Sequence, residues 1–140
     1  MKIVIKGNPI AKKRPRFVRR GKFVGVYNDQ ETEEGRWLWE ATHQIDRMYQ
    51  GAVKMECDFV FKRPKSHFGT GRNAGKLKLS APVFHIQTPD ADNCLKFIKD
   101  CLNNHAYKDD SQVVSVAIRK RWANLGEDAQ SIVTLGEAVC

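Results

Sequence analysis

Between Val53 and Phe61 the chain alternates, with Val53, Met55, Cys57, Phe59 and Phe61 set against Lys54, Glu56 and Asp58. A period of two puts those two sets on opposite faces of a strand, half buried until its last residues. Val113–Arg121 repeats the pattern, with Val114, Val116 and Ile118 on one side and Ser115, Ala117 and Arg119 on the other. Lys2–Lys6 (KIVIK) and Ser131–Leu135 read as shorter strands, punctuated by Gly7-Asn8-Pro9 and by Gly126. Elsewhere the period lengthens. Leu38, Ala41, Ile45, Met48 and Tyr49, widened by Trp37, predict a helix over 29–50, capped by Asp29 or Thr32 and ended by Gly51. Leu95, Ile98, Cys101 and Leu102, joined by Cys94, predict a second helix from Asp92 to about Asn104, with Asn104-His105-Ala106 as its exit.

The segments between are of two kinds. KKRPRFVRRGKFVGVY is a basic loop or ribbon, restricted at Pro15 and turning at Gly21. Residues 62–80 are polar, basic and glycine-rich without periodicity, which predicts a long mobile loop of functional use, and Val83–Gln87 extends briefly before Pro89. The order β-α-β-α-β-β predicts an α+β fold, a single domain over residues 1–140, with a mixed sheet, two main helices packed on it and a long basic loop.

Composition narrows the class. A chain of 140 residues with 41% hydrophobic content can build a core without disulfides or a structural metal. No apolar run is long enough to span a membrane and no secretory leader opens the chain, so a cytoplasmic location is expected. Cys57, Cys94, Cys101 and Cys140 form no C-x-x-C pair, and the first three fall on apolar faces as reduced core thiols. The formal net charge is +8, and its excess is clustered: residues 1–28 and 62–78 carry many Lys and Arg and no acid. Like-charge blocks of this kind suit phosphate binding, and Lys12, Lys13, Arg14, Arg16, Arg72 and Lys76 are the candidate DNA contacts, by charge alone.

Against that background the acids of TPDADNCLKFIKDCLNNHAYKDDSQ stand out. Asp90 and Asp92 precede the second helix, where negative charge is favoured, with Lys96 one turn further on. Asp109 and Asp110 open the following strand, and the sequence permits all four acids to meet. Two carboxylates about 4 Å apart repel by roughly 1–4 kcal/mol, and an approaching phosphodiester adds to that. A hard divalent cation held by carboxylate oxygens removes the conflict and activates water for phosphodiester hydrolysis, while the lysine neutralises charge on the phosphate or leaving oxygen. Other motifs fail. Asp90-Ala91-Asp92-Asn93 lacks the glycine of a calcium loop, and Gly71–Lys76 is one residue short of a phosphate loop. His85 and His67 are candidates to approach substrate, weighed against plain structural roles.

PDADNCLKFIKDCLN followed by YKDDSQV resembles the signature of the RusA-type Holliday junction resolvases, small endodeoxyribonucleases of phages and prophages. GNPIAKKRPRF and RPKSHFGTGRNAGKLKLSAP extend the resemblance over nearly the whole chain. It implies a homodimer that binds four-way DNA junctions in recombination and repair and nicks them in symmetric pairs with Mg²⁺, or Mn²⁺ in its place. It also implies catalytic positions at Asp90, Asp92, Lys96 and Asp110, metal ligation by Asp90, Asp92 and Asp110 with Asp109 as a further ligand candidate, and a phage or prophage origin in a bacterial host. The competing readings are a protein that binds junctions or branched DNA without cutting, and a nuclease for other branched DNA.

Overall fold

A computed structural model describes residues 1–13, 16–20, 23–27 and 31–139, with the backbone alone at 16–20, 23–27 and Glu31. Arg14, Pro15, Gly21, Asp29 and Cys140 lie outside the described residues. The elements run β1 (Lys2–Lys6), β2 (Arg16–Arg20), β3 (Phe23–Tyr27), α1 (Glu31–Thr42), β4 (Val53–Phe61), α2 (Ala91–Leu102), β5 (Val113–Trp122) and β6 (Gln130–Glu137). The main sheet has the order β1-β6-β4-β5, and β2 pairs with β3 as a separate antiparallel ribbon. β4 is central, antiparallel to β6 and parallel to β5, so the sheet is mixed. A parallel pair needs a long crossover, and the basic loop and α2 supply it.

The alternation in β4 has the expected result. Val53, Met55, Cys57, Phe59 and Phe61 are buried, and Lys54 and Glu56 face water. Both helices cover the buried face, with Trp37 of α1 meeting Phe97 of α2 edge-on at 6.1 Å. Cys94, Phe97, Ile98, Cys101 and Leu102 form the buried stripe of α2. Cys57, Cys94 and Cys101 are free thiols in this core, and burial pushes them up to about 12, 11 and 12.

Three local expectations need correction. The first helix ends at Thr42, well before Gly51, and Thr32 lies inside it. The Thr42 hydroxyl donates to the Trp39 carbonyl at 2.8 Å, and Gln44 clips onto β1, accepting from Val4 N at 2.8 Å and donating to Val4 O at 3.0 Å. These bonds and the Tyr49 N to Ala106 O bond draw residues 44–49 along the core as an extended strap, so the apolar spacing continues without a helix. Second, residues 62–80 are built rather than structureless. Two 3₁₀ turns (Lys65–His67 and Gly71–Asn73) flank a Phe68–Leu77 bridge, closed by Gly69 N to Lys76 O and Lys78 N to His67 O. Gly69 is required there, because a Cβ would sit 2.6 Å from the Asn73 Cβ. Third, a bulge opposite Val53 and Lys54 shifts the β5 register, so Val114 is an extra, 63% exposed residue rather than a partner of Val116 and Ile118.

Candidate active site

Asp90 is the N-cap of α2, with extended backbone, and its carbonyl accepts the first helical bond from Cys94 N. Its carboxylate makes no capping hydrogen bond, so the helix leaves that group to solvent. Asp92 follows in the first turn and Lys96 one turn later, all three exposed and without a hydrogen-bonding or ionic partner among the described residues. The positive end of α2 favours both carboxylates where they stand. Cys94 lies beneath them: burial raises its thiol most, Lys120 opposes this, and the charges of Asp90 and Asp92 add to it. Lys120 donates to Gln87 O at 2.7 Å, three residues ahead of Asp90.

Asp109 and Asp110 sit at the other end. Asp109 caps a 3₁₀ turn (Asp110–Gln112), accepting from Ser111 N at 3.1 Å, while Gln112 Oε1 accepts from Asp109 N at 3.1 Å and Lys108 N at 2.9 Å. The Gln112 amide then donates to Tyr49 O and Gly51 O at 2.9 and 3.0 Å, pinning the turn to the strap after α1. Hydrogen bonds from Ser111 hold the Asp109 carboxyl below its ordinary value. Asp110 is half-buried and its carboxylate has no partner among the described residues. Beside it the buried Tyr107 donates to Lys99 O at 2.8 Å, and burial first, then the Asp110 charge, raises that phenol. Sequence reasoning missed the positioning roles of Gln112 and Tyr107. The D-x-x-Q spacing of Asp109 and Gln112 is a capping-box signal that would have found the first.

The structure thus gathers the acids in two pairs, not one cluster. From Asp92 to Lys99, the level that Tyr107 reaches, α2 climbs about 10 Å. Ligand oxygens on one Mg²⁺ lie about 2 Å from it. Among the described residues no group of three or more His, Cys, Asp or Glu is placed to hold a metal ion. The unpartnered oxygens of Asp90 and Asp92 suit a hard cation, but Asp110 of the same chain is not brought to them.

The other candidates divide similarly. Lys12 bonds Glu34 at 2.7 Å and Asp100 at 3.3 Å; burial lowers its pKa, but the two carboxylates outweigh that and raise it. Lys13 reaches Glu33 at 3.3 Å. Arg16 lies in β2, and Arg72 and Lys76 are exposed in the basic loop. His85 is buried, stacked on Phe61 at 3.8 Å and tilted against Trp122, while burial and then Lys120 lower its pKa. His67 packs edge-on against Trp122 at 4.9 Å. Both histidines serve the packing under the loop.

A basic chain that leaves two carboxylates and a lysine bare at the start of a helix, on a mixed sheet with a basic loop, belongs to the class of phosphodiester-cleaving proteins that act on nucleic acid. The family model of endodeoxyribonuclease RusA matches residues 6–127, a span that contains Asp90, Asp92, Lys96, Asp109 and Asp110. The chain belongs to the RusA endodeoxyribonuclease family and is a DNA-cutting hydrolase, with the Holliday junction resolvase activity that this family implies. It is also similar to the uncharacterized protein YqaN of Bacillus subtilis (strain 168), 32% identical over 128 residues that cover 88% of each chain. No helix among the described residues is long and apolar enough to cross a membrane.

Proposed function

We propose that this chain is a homodimeric, Mg²⁺-dependent nuclease, served also by Mn²⁺, that resolves four-way DNA junctions by paired symmetric nicks in recombination and repair. The observation that carries the reading is the bare Asp90–Asp92 pair with Lys96 one turn along, inside the family-matched segment. Neighbouring carboxylates repel each other unless a counter-charge stands near them. Here a net charge of +8 provides many cations, yet none is spent on these acids among the described residues.

Asp90 and Asp92 are the residues that would hold the ion. When bound, a divalent cation lowers the pKa of water and offsets charge on the phosphate oxygens. Lys96 places an ammonium where charge builds on the phosphate. The exposed loop lysines and arginines draw the DNA in and orient it, a task that needs no base contacts.

The test is a labelled four-way junction beside a matched linear duplex, each with Mg²⁺ and with EDTA. Paired nicks in the junction alone, lost in EDTA, are the expected result. Tight junction binding without nicks points to a binding protein, and equal cutting of the duplex to a nuclease of another substrate.

A further inference from the structure

The face of β5 turned to the helices reads Ile118, Lys120, Trp122, with Ile118 packed on the core and Trp122 within it. Lys120 is out of pattern there, a half-buried cation in an apolar row. Among the described residues no carboxylate pairs with it. Its Nζ stands 6.0 Å from the centre of the Phe61 ring and makes one hydrogen bond, donated to Gln87 O at 2.7 Å. A methionine would cover Phe61 as well, with no charge to keep solvated. What the lysine adds is the charge and the bond to Gln87.

The pairing around it shows what that bond does. Residues 83–85 run antiparallel to the end of β5, through Trp122 N to Val83 O at 2.9 Å and His85 N to Lys120 O at 3.3 Å, about the Phe84–Arg121 bridge. The next rung of such a ladder falls on Gln87 and Ile118, and among the described residues it is not made. The rung after that falls on Pro89, which has no N–H to give. The Lys120 side chain stands in for the missing rung by donating to the Gln87 carbonyl. Beyond it Thr88 and Pro89 make no hydrogen bond among the described residues, so this is the last tie before Asp90 opens α2. The Asp90 carboxylate does not cap the helix, so its direction is set by the backbone that carries it.

We infer that Lys120 is a positioning residue of the cleavage reaction: by holding the Gln87 carbonyl it sets the angle at which the chain enters α2, and with it where Asp90 and Asp92 present their oxygens. The inference rests on the nuclease reading above. It gives a reason for a cation in an apolar row, and it makes the end of β5 part of the frame of a site otherwise read from α2. Lys120 acts through the backbone, so it needs to touch neither the metal nor the DNA.

The test compares Lys120→Met, which keeps the cover over Phe61 and removes the bond, with Lys120→Arg, which keeps a charged donor. Arg121→Met is the control for stability, since Arg121 is the next residue along β5 and turns the other way, to Asp58 and Glu127. Each protein is read for Mn²⁺ affinity by electron paramagnetic resonance, for single-turnover cleavage of a four-way junction, and for junction binding in EDTA. Positioning predicts that Lys120→Met weakens Mn²⁺ binding and slows cleavage by about 10–100-fold each, as for other residues that orient metal ligands, and leaves junction binding in EDTA unchanged. Lys120→Arg recovers most of both losses, and Arg121→Met, though less stable, shows neither. A Lys120→Met protein that binds Mn²⁺ and cuts as the wild type does overturns the inference. So does a loss of junction binding as large as the loss of cleavage, which makes Lys120 a DNA contact instead. A Lys120→Met chain that does not fold by circular dichroism, or an equal Mn²⁺ loss in Arg121→Met, also overturns it by assigning the effect to stability. Wild-type protein separates the two readings: if it does not cut junctions the nuclease reading fails, whereas if it cuts and Lys120→Met cuts equally, only the positioning role fails.

Discussion

The Tyr107 hydroxyl donates to the Lys99 carbonyl at 2.8 Å, tying the approach to β5 onto the later half of α2. Tyr107 is fully buried, and its hydroxyl bond ties the segment that leads to Asp110 onto the helix. Tyr107→Phe keeps the ring and loses the bond, which costs about 1 kcal/mol of stability in urea unfolding. Because Asp110 then loses its frame, cleavage falls by a larger factor than DNA binding. Equal loss of both would contradict the positioning role.

Asp109 and Asp110 are adjacent but do different work. Asp109 is spent on the capping box with Gln112, while the Asp110 carboxylate is free of such bonds. Asp110→Asn is expected to lower cleavage on the order of 10²-fold or more with little change in stability. Asp109→Ala lowers stability as a lost cap, and Asp109→Asn, itself a good cap, restores it. A cleavage loss in Asp109→Asn equal to that in Asp110→Asn would move Asp109 into the chemistry.

Stability in acid should follow Glu127. Its carboxylate meets Arg121 at 2.6 Å and Asn124 N at 2.8 Å, and chiefly the Arg121 bond pulls its pKa from 4.5 down to about 2. A folded-state value below the unfolded one adds stability above the unfolded pKa, and that stability is lost as pH falls through 4.5 toward 2. Arg121→Met strips Asp58 and Glu127 of their shared partner and costs about 1–3 kcal/mol at neutral pH. Glu127→Gln flattens the acid limb between about pH 5 and pH 3 in denaturation midpoints; an unchanged limb would assign it to other groups.

The basic residues should separate by assay. Arg72→Ala and Lys76→Ala leave stability unchanged and weaken junction binding, each reducing the slope of log affinity against log salt by up to about 1. Lys12→Ala acts on the fold instead, because Glu34 and Asp100 both lose their cation. Salt-dependent binding isotherms beside thermal melts distinguish the two groups.

Much of this arrangement was legible in residue order. Strict alternation placed β4 within the sheet because a half-buried strand has no other pattern, and the stripe from Cys94 to Leu102 defined α2 almost to the residue. The end of α1 was not legible: Ile45, partly buried, and Tyr49, buried, stand at helical spacing, but Gln44 holds the chain extended against β1, a partnership 40 residues distant. The four acids were visible as candidates, but their grouping was not, since it depends on the direction of α2 relative to β5. Lys12 looked like any other member of a basic run until Asp100, far along the chain, was seen opposite it.

Arg63 closes the basic loop at its base, donating to Ala123 O and to Pro82 O at 2.7 Å each. One guanidinium thus holds the two ends of a long excursion together and hands the sheet a constant anchor. Whatever lies beyond the Phe68–Leu77 bridge can lengthen or shorten at little cost, because each doubling of a flexible loop adds only about 0.6 kcal/mol of closure entropy. The loop tip can therefore change in length while the frame that carries the carboxylates stays unchanged.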